Sequence, residues 1–309
     1  MKKGDLILLS GSSNLPLAEK IAKALEMELG TIELSLFPNG ERRVHIATNT
    51  KNRTVYLIQS ISTPPDQMLV ELLLMADAAK RMGAGKVVGI IPWLGYSAQD
   101  KVFREGEPLS SELIAHLIKT AGISEVITLD LHSPNNIDHL KKAGLTVTHL
   151  SALEIFIQAF KGILREKEWT VLSLDKGALE RSRLFAKNLQ LPLVSLKKSR
   201  DLSTGSVSFN DFTGDVRDKN IISFDDFVST GGTRIKASAI LKDLGVKTYV
   251  DCITHGLLGN DAAQKIQESH IDSVYLSDSY PIPPEKQVKK INILTSANLF
   301  AAEIKKRHS

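Results

Sequence analysis

The segment Ile221-Ile222-Ser223-Phe224-Asp225-Asp226-Phe227-Val228-Ser229-Thr230-Gly231-Gly232-Thr233 constrains the chain more than any other. An apolar run of this length reads as a buried strand, and the small-residue turn after it leads into a helical pattern, so the segment is a strand–turn–helix junction of a parallel α/β sheet. The two adjacent carboxylates, Asp225 and Asp226, are suited to accept hydrogen bonds from vicinal hydroxyls. Backbone N–H groups of Ser229, Thr230, Gly231, Gly232 and Thr233 then converge where a helix N-terminus receives an anion, and the glycines let the backbone approach it.

The same alternation runs from end to end. Leu6 to Ser10 reads as a strand and Asn14 to Glu28 as a helix with Leu17, Ile21 and Leu25 on one face. Strands are expected at Thr31 to Phe37, Val44 to Ala47, Val55 to Ser60, Val87 to Pro92 and Val126 to Leu131. Thr63 is expected to cap a helix that ends before Gly83, and a further helix covers Ser110 to Thr120. A second series follows from Ser151: a helix, a strand at Val171 to Leu174, a helix at Gly177 to Leu189 and a strand at Leu193 to Ser195. A long polar stretch then precedes a strand at Asn220 to Phe224, a helix at Gly231 to Leu244, a strand at Tyr249 to Thr254, and a closing strand and helix from Ile291 to Lys306.

At 309 residues the chain exceeds what one core usually sustains, so two domains are expected, residues 1–148 and 149–309. The fold class is therefore α/β with two tandem doubly wound domains. Composition excludes other classes. No apolar run is long enough for a membrane span, and a net charge of +4 without a basic stripe suits an anionic metabolite rather than nucleic acid. One cysteine, Cys252, excludes an internal disulfide framework and fits a reducing cytoplasm; in Tyr249-Val250-Asp251-Cys252-Ile253 it reads as a packed strand thiol.

Residues 221–233 resemble the phosphoribosyl-diphosphate (PRPP) binding loop shared by type I phosphoribosyltransferases and the ribose-phosphate diphosphokinase family. Five further segments resemble the second of these, in order. Phe37-Pro38-Asn39-Gly40-Glu41 is similar to the family's adenine-holding element, with Asn39 where the family has aspartate. Ile91 to Lys101 is similar to its ATP-contacting run, keeping Gln99 and Asp100 but carrying Ala98 in place of an arginine, which removes a bidentate, permanently charged phosphate contact. Thr128-Leu129-Asp130-Leu131-His132 resembles the Asp-Leu-His element of the metal–ATP site, and strand alternation would put Asp130 and His132 on one face. Ser173 to Ala178 resembles the turn with a second metal-linked aspartate, here Asp175, for which a helix cap is the plainer reading and compatible with the first. Lys197 to Arg200 resembles the Lys-x-Arg arm, read as an extended loop.

The resemblance implies two domains of the type I phosphoribosyltransferase-like fold, with the closing helix returning to the first, and transfer of the β,γ-diphosphoryl group of ATP to ribose 5-phosphate. It implies Mg²⁺ on Asp130, His132 and Asp175, and ATP on Phe37, Asn39, Gly40, Glu41, Gln99 and Asp100. Ribose 5-phosphate falls to Asp225, Asp226 and residues 229–233, and charge neutralisation to Lys198 and Arg200. It further implies a cytoplasmic homo-oligomer with the ATP site near a subunit interface. Two alternatives stand beside it: a phosphoribosyltransferase that consumes PRPP, and a non-catalytic regulatory paralogue.

Overall fold

A computed structural model describes residues 3–161, 168–200 and 207–309. Contacts divide the chain into two compact units: Met1–Ser151 with Ser279–Pro281 and Thr295–Ser309, and Ala152–Asp278 with Ile282–Leu294. Among the described residues no helix is long and apolar enough to cross a membrane.

The first unit is built on five parallel strands in the order β1 (Leu6–Ser10), β4 (Thr54–Ile58), β5 (Lys86–Ile91), β6 (Glu125–Leu129) and β7 (Thr146–Leu150). Strands buried on both faces read as continuous apolar runs, and β1, with all five residues buried, is one. The hairpin β2 (Ile32–Leu36) and β3 (Arg42–Ile46) forms a separate two-stranded sheet. The helices are α1 (Leu15–Ala24), α2 (Pro65–Arg81), α3 (Ser110–Thr120), α4 (Pro134–Lys142) and the closing α9 (Ala297–Arg307), which belongs to this unit. Helix α1 is shorter than the expected Asn14 to Glu28, with Asn14 as its cap, the Asn14 side chain accepting from Leu17 N. Thr63 does not cap α2. Pro64 holds that position, with no side-chain oxygen to accept from the first turn, and the Thr63 hydroxyl pairs with Tyr280 Oη at 2.7 Å.

The second unit is a seven-stranded sheet in the order β10 (Val207–Phe212), β9 (Leu193–Arg200), β8 (Trp169–Ser173), β11 (Asn220–Val228), β12 (Thr248–Gly256), β13 (Ser273–Ser277) and β14 (Ile291–Leu294). All neighbours are parallel except β9 and β10. Its helices are α5 (Leu153–Phe160), α6 (Leu179–Leu189), α7 (Gly232–Asp243) and α8 (Ala262–Glu268). Lys197 to Arg200 therefore lie in a strand and not in a loop: β9 runs on from Leu193 and pairs antiparallel with β10, giving the polar segment backbone partners that a loop would lack.

The chain leaves β8 to place β9 on one side and returns to place β11 on the other. That reversal is a topological switch point, and in open α/β sheets ligands bind in the crevice at the carboxyl ends of the strands flanking it. Pairing of β11 with β8 stops at Ser223 with Leu172, while β11 continues beside β12 to Val228 opposite Gly256. The two strands thus part where the carboxylates begin. The first unit has no such reversal; its strands follow one another in chain order.

Candidate active site

In the second unit, Asp225 and Asp226 sit within β11, just beyond its last pairing with β8, and Asp175 follows the end of β8. The Asp225 carboxylate is held from two sides. Its Oδ1 accepts from Arg181 Nη1 at 2.7 Å, and its Oδ2 accepts from Arg234 Nη2 at 2.8 Å. Arg181, in the first turn of α6, also reaches Asp226 Oδ1 at 2.8 Å. Behind them, Arg234 Nη1 donates to both oxygens of Asp251 on β12 at 3.0 Å each, and Ser223 Oγ donates to Asp251 Oδ1. Arg234 is 5% exposed and Asp251 0%, so this is a charge cluster inside the fold and not a surface pair.

Burial by itself would push the Asp225 carboxyl up, but Arg234 and then Arg181 outweigh it and hold the group below the usual carboxylate range. Burial opposes the charge on Arg234 as well, and the Asp251 and Asp225 carboxylates more than restore it.

The turn after β11 leads into α7. Gly231 occupies the cap position with φ 73° and ψ −1°, a left-handed conformation that favours glycine, and no side chain caps the helix. A Cβ at Gly231 would find ordinary space, its nearest contact being Ile235 Cδ1 at 3.6 Å, so the constraint is on the backbone and not on packing. Ser229, Thr230, Gly232 and Thr233 are exposed. The strand end is tied down by Gly259 N to Ser229 O at 2.9 Å and Leu257 N to Val228 O at 2.9 Å. Asp175 Oδ1 accepts from Ala178 N at 2.9 Å, which is the capping role for the turn that precedes α6.

In the first unit, Phe37 to Glu41 is the tip of the β2–β3 hairpin. Gly40 takes φ 87°, Asn39 Oδ1 accepts from Glu41 N at 3.2 Å, and Phe37 is 45% exposed with Arg43 over its ring at 5.8 Å from the centroid. A cavity of about 420 Å³ lies beside the hairpin, lined by Gly40, Glu41, Arg42, Asp66, Gln67 and Val70 among others. Arg42 at its wall pairs with the fully buried Glu71 at 2.6 Å.

Gln99 and Asp100 are engaged with the protein itself. Gln99 Oε1 accepts from Ser110 Oγ, and Asp100 Oδ2 accepts from Ser133 Oγ and from Asn135 Nδ2 at 3.0 Å. Burial would raise the Asp100 carboxyl, but the bonds from Ser133 and Asn135, its own backbone and the nearby His132 bring it below its ordinary value. Ala98 is exposed.

Strand alternation does not govern Asp130 and His132. Strand β6 ends at Leu129 and Asp130 takes φ 32°, so the backbone turns before either residue. Among the described residues no three His, Cys, Asp or Glu side chains gather as a metal cage. The side chains of Lys198 and Arg200 lie outside the described residues; only their backbone, in β9 opposite Phe209 and Val207, is placed.

Three charged residues escaped the sequence reading: Arg181, Arg234 and Asp251. A signal existed for two of them. Asp251 interrupts an apolar strand, and Arg234 falls on the stripe Arg234, Ala237, Ser238 and Leu241 that α7 buries, where an arginine has to find a counter-charge.

Comparison with known proteins supplies an independent line. Residues 6–122 match the N-terminal domain of ribose phosphate pyrophosphokinase, and residues 209–309 match the phosphoribosyl synthetase-associated domain. The ribose-phosphate pyrophosphokinase of Caldanaerobacter subterraneus is 35% identical over 98% of this chain and 95% of its own. That of Thermotoga maritima is 35% identical over 97% and 94%. Among solved structures, phosphoribosylpyrophosphate synthetase from Mycobacterium smegmatis superposes with a TM-score of 0.91 at 30% identity, covering 98% of this chain and 99% of that one.

Proposed function

The chain belongs to the ribose-phosphate pyrophosphokinase family, and from that premise we propose how its residues divide the work of forming PRPP and AMP from ribose 5-phosphate and ATP. The switch point of the second unit carries the proposal: it puts two carboxylates and an uncapped helix N-terminus on consecutive residues of one junction. Asp225 and Asp226 accept from the ribose hydroxyls, and the backbone of Ser229 to Thr233 receives the 5-phosphate. The second unit is thus the sugar side and the first the nucleotide side, the chain crossing between them near the expected boundary at 148/149 and returning to the first unit with α9.

On the nucleotide side, Phe37 offers an aromatic face to adenine, while Asn39 and Glu41 offer acceptors, with Gly40 shaping the loop. Gln99 and Asp100 hold the loop that carries Ala98 against α3 and the start of α4. The exposure of Phe37 beside a cavity supports an ATP site near the interface of a homo-oligomer. The one cysteine, Cys252, is a free buried thiol, which fits a cytoplasmic protein.

The carboxylates of Asp130 and Asp175 suit Mg²⁺, a hard cation that takes oxygen ligands, whereas the imidazole of His132 is an unusual direct ligand for it. The ion prefers few protein ligands, with water and substrate phosphates completing the shell, so the lack of a three-residue cage among the described residues is compatible with it. Asp130, with His132 beside it in sequence, is the candidate holder in the first unit and Asp175 the candidate holder in the second, and bound Mg²⁺ would neutralise phosphate charge.

In the reaction the anomeric hydroxyl attacks the β-phosphorus of ATP in line, the bond from that phosphorus to the α,β-bridging oxygen breaks, and AMP leaves with the electron pair. The hydroxyl proton is released. Such a transfer asks the protein for positioning, which falls to Asp225, and for charge neutralisation, which falls to Lys198 and Arg200.

The test is an assay of AMP formed from ATP with and without ribose 5-phosphate. AMP should appear in step with PRPP, and Lys198→Ala and Arg200→Ala should each lower turnover by about 10³-fold, with a smaller change in the constant for ribose 5-phosphate. No sugar-dependent AMP would exclude the synthetase; normal turnover in both variants would remove the arm from the mechanism.

A further inference from the structure

Arg234 lies in the first turn of α7, a place where a positive charge opposes the helix dipole, and it is almost wholly buried. Such a placement needs compensation, and the structure shows where it comes from. The guanidinium is forked: Nη1 is spent on both oxygens of Asp251, while Nη2 reaches Asp225 Oδ2 at 2.8 Å and the Phe227 carbonyl at 3.3 Å. Asp251 is fixed in turn by Ser223 Oγ. The planar fork has no freedom to rotate once Nη1 is doubly held, so the direction of Nη2 is set by Asp251.

We propose that Arg234, locked by Asp251, is a positioning residue that aims the Asp225 carboxylate at the sugar hydroxyls. The inference rests on the assignment of ribose 5-phosphate to this junction. The pair itself does not meet the sugar; it works from beneath, by joining β11, β12 and α7 through one cation. Arg181 holds the other oxygen of Asp225, from α6. Asp225 is therefore oriented from two elements, and loss of the buried anchor should let it swing toward Arg181.

The experiment uses the double variant Arg234→Met with Asp251→Val, because replacing both members of a buried ion pair by apolar side chains of similar volume is often close to neutral for folding, whereas removing one strands a charge, and Arg181 still pairs with Asp225. Ribose 5-phosphate and ATP are titrated separately into parent and variant by calorimetry, with thermal melts alongside. The variant should melt near the parent and bind ATP unchanged, while its dissociation constant for ribose 5-phosphate rises about tenfold, the scale on which a small misplacement of a binding group acts. Unchanged ribose 5-phosphate affinity in a folded variant would overturn the inference and leave the site assignment standing. A parent that fails to bind ribose 5-phosphate would remove both. If the double variant does not fold, Arg234→Lys decides by the same titrations: one ammonium cannot reproduce the fork, so selective weakening of ribose 5-phosphate supports the positioning role and equal affinity for both ligands refutes it.

Discussion

The two units build their sites by opposite means. In the second, Asp225 is fixed by a cluster of charges set under the sheet's switch point, with Arg234 and Asp251 almost wholly removed from water. In the first, the element proposed to hold adenine is the tip of a hairpin, with Phe37 and Leu36 exposed and the loop shaped by its own short-range hydrogen bonds. A carboxylate that must meet particular sugar hydroxyls gains from a rigid frame, because its geometry decides whether both bonds form. An aromatic face for adenine needs less angular control, and a hairpin tip suffices.

Glycines at the two sites offer the sharpest way to break this contrast. Gly231 and Gly40 both have positive φ, at 73° and 87°, and neither is crowded. Alanine at either should cost about 1–2 kcal/mol of unfolding free energy through backbone strain alone. Only Gly231→Ala should also weaken ribose 5-phosphate, since only that residue lies in the turn proposed to receive the 5-phosphate. Denaturation and ligand titration of the two variants side by side will show whether the strain stays local; equal loss of ribose 5-phosphate binding in both would dissolve the distinction.

Asp100 gives a pH test of the nucleotide side. Its carboxyl lies below the ordinary value in the folded chain, so its contribution is present above the unfolded value of about 3.9 and is lost as pH falls through the lower folded value. Asp100→Asn should destabilise by about 1–3 kcal/mol near neutrality, the scale of hydrogen bonds to a charged group, and the gap between variant and parent should close in acid. A gap that stays constant from pH 7 to about pH 3 would mean the charge plays no part.

The smallest expected effect belongs to Ala98. The position is exposed, so arginine there has room, and Ala98→Arg should tighten ATP by about 1 kcal/mol if it supplies a charge-assisted phosphate contact. An apparent ATP constant that does not fall, measured with ribose 5-phosphate saturating, would show that the loop presents this residue elsewhere.

Much of the fold was legible in the sequence. Helix α3 spans Ser110–Thr120 as its periodicity suggests, and β1 spans Leu6–Ser10. Local pattern failed where distant partners decide. The polar stretch after Ser195 continues the strand because β10 pairs with it, and Thr63 turns to Tyr280, more than two hundred residues away in sequence, instead of capping its helix. The Asp225 to Thr233 junction was legible because one continuous segment carries both the carboxylates and the turn. Its frame was not, since Arg181, Arg234 and Asp251 come from three elements and meet only when β8, β11 and β12 are side by side.

Asp225→Asn, titrated calorimetrically with ribose 5-phosphate and with ATP after a melt confirms folding, tests the division of the chain most directly. Loss of the charged acceptor should weaken ribose 5-phosphate by about tenfold or more, a cost of roughly 1.4 kcal/mol or above, and leave ATP unchanged. Equal losses for both ligands, or an undiminished affinity for ribose 5-phosphate, would contradict the assignment of the sugar to the switch point of the second unit.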